Sequence, residues 1–239
     1  MAGHSKWANI KHKKARVDAK KGKVFSRIAK EIIVAVKEGG NDPKGNTRLR
    51  LALQKARAAN MPSDNIDRNI KKASSADQSD YVEVVYEIYG HGGVGIVVEG
   101  MTDNKNRMAS EMRISTNKRG GTIASSGAVV FNFDRKGVIQ MPKDQEGDED
   151  TVFMAVTDAG AEDFEALDDM YVVTTDAAEL YAVKDAIEEQ GMTCSEASLE
   201  MIPKTTVDCD EDTAKSNEAL IEWIEDIEDV DAVFHNMSV

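Results

Sequence analysis

Residues 81–101 read YVEVVYEIYGHGGVGIVVEGM, and this stretch decides the fold. Two β-branched and aromatic runs flank the glycine-rich loop from Gly90 to Gly95, the pattern of an antiparallel hairpin. The loop also invites comparison with a phosphate cradle. Phosphate loops, however, pass from a strand into a helix N-terminus and end in Lys-Ser/Thr, whereas this loop passes into a second strand. A hairpin turn is therefore expected. The period of the chain changes here, from helical spacing before Tyr81 to strand alternation after it.

Upstream, Phe25, Ile28, Ala29, Ile32 and Val36 fall on one helical face, and Gly39-Gly40 ends it. Asn46 or Thr47 is placed to cap a second helix with Leu49, Ala52, Leu53 and Ala56 inward, and Ser63 a third with Ile66, Ile70 and Ala73 inward. Residues 1–23 hold eight Lys and Arg residues and few apolar ones, which reads as a mobile arm or a marginal helix.

Downstream, the pattern predicts a helix from about Asn104 to Lys118 and strands over Ile123 to Asp134. It continues with a strand at Gly137–Met141, a helix at Thr151–Gly160, strands at Phe164–Leu167 and Met170–Thr175, a helix at Ala177–Gln190 and a strand at Ser198–Ile202. The order from Gly137 is β-α-β-β-α-β, the ferredoxin-like signature. The tail offers a short strand at Thr206, a helix from about Thr213 to Ile227 with Leu220, Trp223, Ile224 and Ile227 inward, and a strand at Ala232–Met237. It is too small to stand alone, so it is expected to return to the sheet begun at Tyr81. The expected class is α+β: an all-α basic domain at 1–76, a discontinuous α/β domain at 77–135 plus 204–239, and an acidic ferredoxin-like domain at 136–203 inserted in it.

Charge is segregated along this frame. Nineteen of the 30 basic residues precede Ala73, against six of the 43 acids, so residues 1–72 carry +13, residues 73–143 are neutral and residues 144–239 carry −26. A basic module is a place for phosphates to bind, and an acidic one repels them. No apolar run approaches the roughly 20 residues of a membrane span, and the N-terminus lacks the apolar core of a secretory signal. Cys194 and Cys209 form no C-x-x-C and no disulfide framework. The expectation is a cytoplasmic protein without membrane contact.

The nucleic-acid-binding candidates are Lys6, Trp7, Lys11, Lys13, Lys14, Arg16, Lys20, Lys21 and Lys23 in the first 23 residues, and Arg48, Arg50, Lys55 and Arg57 on the second helix. Flexible cations neutralise phosphates without sequence register, and an exposed indole stacks on an unpaired base. His91, Arg107, Arg113, Lys118 and Arg119 form a secondary set, with Arg107 also spaced to pair with Glu111 at i, i+4. Helices two and three resemble a helix-turn-helix in spacing, but the would-be recognition helix opens with Ser63, Asp64, Asn65 and Asp67, which sets carboxylates against a phosphate-flanked groove. A plain helical hairpin is expected. The clusters Asp144, Glu146, Asp148 and Asp208, Asp210, Asp212 lack the glycine and glutamate of a calcium loop, and no H-E-x-x-H, G-x-S-x-G or Cys-His signature is present. No catalytic residue, metal, cofactor or small-molecule substrate is assigned, and the chain is expected not to be an enzyme.

The stretches MAGHSKWANIKHKKA at residues 1–15, DAKKGKVF at 18–25, KEGGNDPKGN at 37–46, AANMPSDNI at 58–66 and VEGMTDNKNR at 98–107 resemble the YebC/PmpR family. The resemblance spans the chain and is densest before Gly121. That family includes a mitochondrial translational activator of a cytochrome oxidase subunit. The resemblance implies three domains round a cleft, the third inserted in the second, and no catalytic residues. It implies either a DNA-binding transcriptional regulator or a ribosome-bound factor that relieves stalling at proline-rich stretches, with ribosomal RNA as its target; basic ribosomal proteins as further partners are an expectation from the charge of the acidic domains alone. His91 and Ser125-Ser126 depart from the family's usual proline and Gly-Thr-like stretch, which bears only on local loop shape.

Overall fold

The computed structural model describes residues 21–73, 81–143 and 148–238. Helix α1 (Lys21–Gly39) packs against α2 (Thr47–Ala58) and α3 (Ser63–Ala73). Their shared core is Ile28, Ile32, Ile33, Ala35, Val36, Leu49, Ala52 and Ala56, with Ile66, Ile70 and Tyr81 packed at its margin. The apolar spacing read from the sequence therefore faces inward. Asn46 is the cap of α2: its Oδ1 accepts from the Leu49 N–H at 3.0 Å, and its amide donates to the carbonyls of Ala35 and Gly40. One side chain thus ends α1 and starts α2. Helix α1 begins at Lys21, two residues before the expected arm ends, and Ser63 is the first residue of α3 rather than its cap.

The first sheet has the order β3-β1-β2-β9, built from β1 (Val82–Tyr89), β2 (Gly95–Thr102), β3 (Thr122–Ile123) and β9 (Val230–His235). β1 and β2 form the hairpin, pairing Val82 with Thr102 through Tyr89 with Gly95. Helices α4 (Lys105–Arg119) and α7 (Glu211–Asp226) cover one face, burying Ile88, Ile96, Val98, Met108, Met112, Leu220, Ile221 and Ile224. β9 pairs antiparallel with β2, so the tail does return to this sheet. The β2·β9 register shifts at Gly100, where a Cβ would collide with the Asp229 carbonyl and lie 2.6 Å from Met108 Cε. Glycine is required at that crossing.

The second sheet has the order β5-β6-β4-β7, from β4 (Phe133–Pro142), β5 (Asp163–Ala166), β6 (Met170–Asp176) and β7 (Glu196–Pro203), all antiparallel neighbours. With α5 (Glu149–Asp158) and α6 (Leu180–Glu189) between the strands in sequence, this is the β-α-β-β-α-β unit expected. Both helices pack on one face over Ile139, Met141, Tyr171 and Val173. A short parallel pair, β8 (Val207–Asp208) with β10 (Met237–Ser238), finishes the chain. Asp148 and Asp210 accept from the N–H groups of Thr151 and Thr213 and cap α5 and α7. Two members of the acidic clusters are thus helix caps.

Residues 124–132 depart from the sequence expectation. The strands read over Ile123 to Asp134 reduce to β3 and the first residues of β4, with a loop and one 3-10 turn (Val130–Asn132) between them. The cause is Glu87. Its buried carboxylate accepts from the N–H groups of Gly127, Val129 and Val130 at 2.5, 2.6 and 2.8 Å, and Gly127 takes φ +87° to make this possible. Those donors are lost to any strand ladder.

Candidate nucleic-acid interface

Lys6, Trp7, Lys11, Lys13, Lys14, Arg16 and Lys20 lie outside the described residues. Lys21 and Lys23 fall in the first turn of α1. On α2 the four candidates divide into two kinds. Arg48 bridges Glu38, at 2.7 Å, and Glu83 at the start of β1. Lys55 meets both carboxylate oxygens of Glu31 at 3.0 Å. Burial alone would lower the Lys55 ammonium, but the charge and hydrogen bonds of Glu31 outweigh it and hold the group above its ordinary value. These two side chains tie helices together. Arg50 and Arg57 are exposed, and neither has a carboxylate partner among the described residues. Lys44, Arg68 and Lys71 are exposed in the same way and join them as free cations. The start of α3 carries Asp64, and its last turn carries Lys71 and Lys72, an arrangement matched to the helix dipole.

The secondary set is mostly occupied. Arg107 does not pair with Glu111. Its guanidinium reaches Asp103 at 2.8 Å and Asp229 at 2.7 Å, and these hydrogen bonds raise its pKa above the usual arginine value. Asp229 is buried and also takes Thr102 Oγ1 at 2.9 Å and Lys30 Nζ at 3.4 Å. Burial opposes its charge, but Arg107, Thr102 and Lys30 together keep it below the ordinary aspartate range. His91 Nε2 lies 2.6 Å from the Arg119 carbonyl, and the His91 N–H donates to Asn217 Oδ1 at 2.8 Å. The glycine-rich loop is therefore a turn pinned between α4 and α7. Arg119 lies over the Trp223 ring, 5.2 Å from its centroid. Trp223, expected inward, is 37% exposed beneath that cation. Arg113 and Lys118 remain exposed and without a carboxylate partner.

Sequence reasoning missed Arg27 and Lys30. Lys30 is buried and donates to the carbonyls of Met101 and Glu228 at 3.1 and 3.0 Å, as well as to Asp229. Arg27 donates to the Val230 carbonyl at 3.2 Å and faces Asp231 at 4.0 Å. Burial drives the Asp231 carboxyl up to about 6, although Arg27, Lys30 and Lys55 pull the other way. These side chains join the helical module to β9. Their only signal in the sequence was a lysine beside the apolar face of α1. Among the described residues, no group of three or more His, Cys, Asp or Glu side chains is placed to hold a metal, and no helix is long and apolar enough to cross a membrane.

Residues 5–76 match the model of the TACO1/YebC protein N-terminal domain, and residues 81–237 match that of the TACO1/YebC second and third domain. The chain belongs to the TACO1/YebC family. A probable transcriptional regulatory protein of Protochlamydia amoebophila is 68% identical over 239 residues, covering all of this chain and 97% of that protein. One of Chlamydia trachomatis is 56% identical, with full coverage of both chains. A conserved hypothetical protein of Aquifex aeolicus, known from a crystal structure, superposes with a TM-score of 0.87 at 41% identity, over 97% of this chain and 96% of that one. Family membership and the naming of these relatives make this chain a regulatory protein of the TACO1/YebC type.

Proposed function

We propose that this chain is a non-enzymatic, cytoplasmic regulator of gene expression that contacts nucleic acid through its N-terminal helical module and the basic residues preceding it. The observation that carries the reading is the division of the α2 cations. Arg48 and Lys55 are consumed by carboxylates, whereas Arg50 and Arg57 stand exposed with no carboxylate partner among the described residues, Arg50 reaching only the Thr47 hydroxyl, and join Lys44, Arg68 and Lys71 on a module of net +13. Cations whose charge no carboxylate neutralises are free to release counterions from a phosphate backbone. The −26 of residues 144–239 repels phosphate and restricts such contact to one end of the chain.

The naming of relatives as transcriptional regulators supports DNA as the target. A second reading, contact with ribosomal RNA and basic ribosomal proteins, is favoured by Asp64 in the first turn of α3, where a base-reading helix would carry donors. RNA is recognised through shape and unpaired bases, which suits scattered cations. Competition separates the two. A specific promoter complex survives about 10³-fold excess of random duplex, whereas a ribosome-bound factor pellets with ribosomes at physiological salt and loses the promoter under competition. Charge reversal of Arg50 and Arg57 to Glu should weaken either complex about tenfold or more and flatten its salt dependence by roughly two counterions. Unchanged affinity would remove the helical module from the interface.

A further inference from the structure

On one side of the first sheet, β1 is only partly covered among the described residues. All eight residues of β1 pair with β2, yet on the other side β3 covers only Ile88 and Tyr89 before the Ala124 N–H closes onto the Glu87 carbonyl at 2.8 Å. Backbone groups alternate in direction along a strand, so the N–H and C=O of Glu83 and Val85 point the same way as the Glu87 carbonyl. No partner meets them among the described residues. The chain leaves this edge because the Glu87 carboxylate holds Gly127, Val129 and Val130 and draws the loop away.

Beside the open edge, on the helix-covered face, lies a groove of about 400 Å³ between α4 and the strands, lined by Tyr86, Ala109, Arg113, Asn117 and Ile123 among others. Arg113 has no carboxylate partner, and the Asn117 amide has no partner among the described residues. On the opposite face Val85 is 56% exposed, a bare β-branched side chain next to unpaired backbone. Natural sheets normally blunt such an edge.

We propose that the β1 edge and the α4 groove form a docking site for an extended acidic-apolar peptide of a partner protein, added as a strand beside Glu83 and Val85. Its backbone takes up the four open edge groups. Alternate side chains enter the groove, where Tyr86 and Ile123 receive an apolar residue and Arg113 a carboxylate, while the intervening ones lie on Val85. Peptide is favoured over nucleic acid because residues 81–104 contain no Lys or Arg, so a phosphate backbone along this edge meets no cation from either hairpin strand. The site is independent of the nucleic-acid reading above.

The test is selection of a displayed library of random linear decapeptides on the full-length chain, with Val85→Pro and Arg113→Glu as counter-targets. Enriched sequences should alternate apolar residues and carry an acid, and a synthetic peptide bearing one of them should slow amide hydrogen exchange at Glu83 and Val85. Arg113→Glu, on an exposed helix position, should weaken that peptide about tenfold, and methylating its alternate amides should abolish binding. Should Val85→Pro unfold the chain, the methylated peptide and Arg113→Glu still decide the matter. Absence of any sequence that separates the wild type from Arg113→Glu would overturn the proposal. So would a selected peptide that protects some other segment, or protection of Glu83 and Val85 by an oligoribonucleotide or by self-association instead.

Discussion

The first sheet is joined to its neighbours in two contrasting ways. Toward the helical module the junction is ionic, with Lys30, Thr102 and Asp229 buried, the exposed Arg107 closing onto Asp229 and Arg27 facing Asp231 beside them. Toward the second sheet it is mainly apolar, with Val97, Val129, Phe133 and Phe234 buried and Met201 and Ala232 packed on them, the Glu87 carboxylate buried beside them and an ion pair, Arg135 with Glu99 at 2.6 Å, crossing at the surface. Apolar surface tolerates small adjustments of angle, because burial is non-directional. Buried charges do not, since each must keep its partners or bear the full cost of desolvation. The helical module is thus held in one pose or none.

Four substitutions test this contrast, the largest effect first. Asp229→Ala strips Lys30 and Arg107 of their shared carboxylate and should lower unfolding free energy by about 4 kcal/mol in denaturant titration. Cutting Phe234 back to Ala on the apolar side should cost about 3 kcal/mol, with little response to salt. If the first loss is smaller than the second, the ionic junction is not what fixes the helical module. Replacing Glu87 by Gln puts an amide where three backbone N–H groups need an acceptor, and about 1–2 kcal/mol should be lost. Its carboxyl is held below the usual glutamate range because those three hydrogen bonds outweigh its burial. The stabilisation is present above the unfolded value near 4.3 and disappears as pH falls through the lower folded value, a loss that Glu87→Gln should not show.

The smallest effect carries the opposite sign. Asp231 titrates near 6 when folded and near 3.9 when unfolded, so the folded state binds the extra proton between these values. The wild type should therefore gain stability as pH falls from about 6 to about 4. Asp231→Asn should be more stable by about 1 kcal/mol at pH 7.5, where burial penalises the wild-type charge, and lose that advantage below about pH 4. A pH-independent difference would show that Asp231 is solvated at the junction.

Local pattern predicted the elements well where core-facing residues recur on one face. Phe25, Ile28 and Ile32 announce α1, and Val84, Tyr86, Ile88, Ile96 and Val98 announce the hairpin, because those positions pack into a single core. It failed where a distant residue overrode the local rule. Arg107 has Glu111 one turn away, yet Asp229 takes it from 122 residues off. AVVFNF at residues 128–133 has strand composition, yet Glu87 claims its amides from about 40 residues upstream. Trp223 sits on the apolar stripe of α7 and still meets solvent beneath Arg119. The free cations of the candidate interface were legible as charge. Which of them were free depended on Glu31, Glu38 and Glu83, acids that no spacing rule connects to Arg48 and Lys55.

The late position of β9 has a consequence for synthesis. Lys30 and Arg107 emerge early, but the carboxylate that joins them is residue 229 of 239. Domains generally fold from the N-terminus as they leave the ribosome, so the three helices and the β1–β2 hairpin can form while Lys30 still lacks its counter-charge. Only once residue 229 has been made is Asp229 there to fasten the first module to the second. A product truncated within α7 would keep the basic module's cations and its three helices without that fastening, and the pose of the basic module would report whether synthesis had passed Asp229.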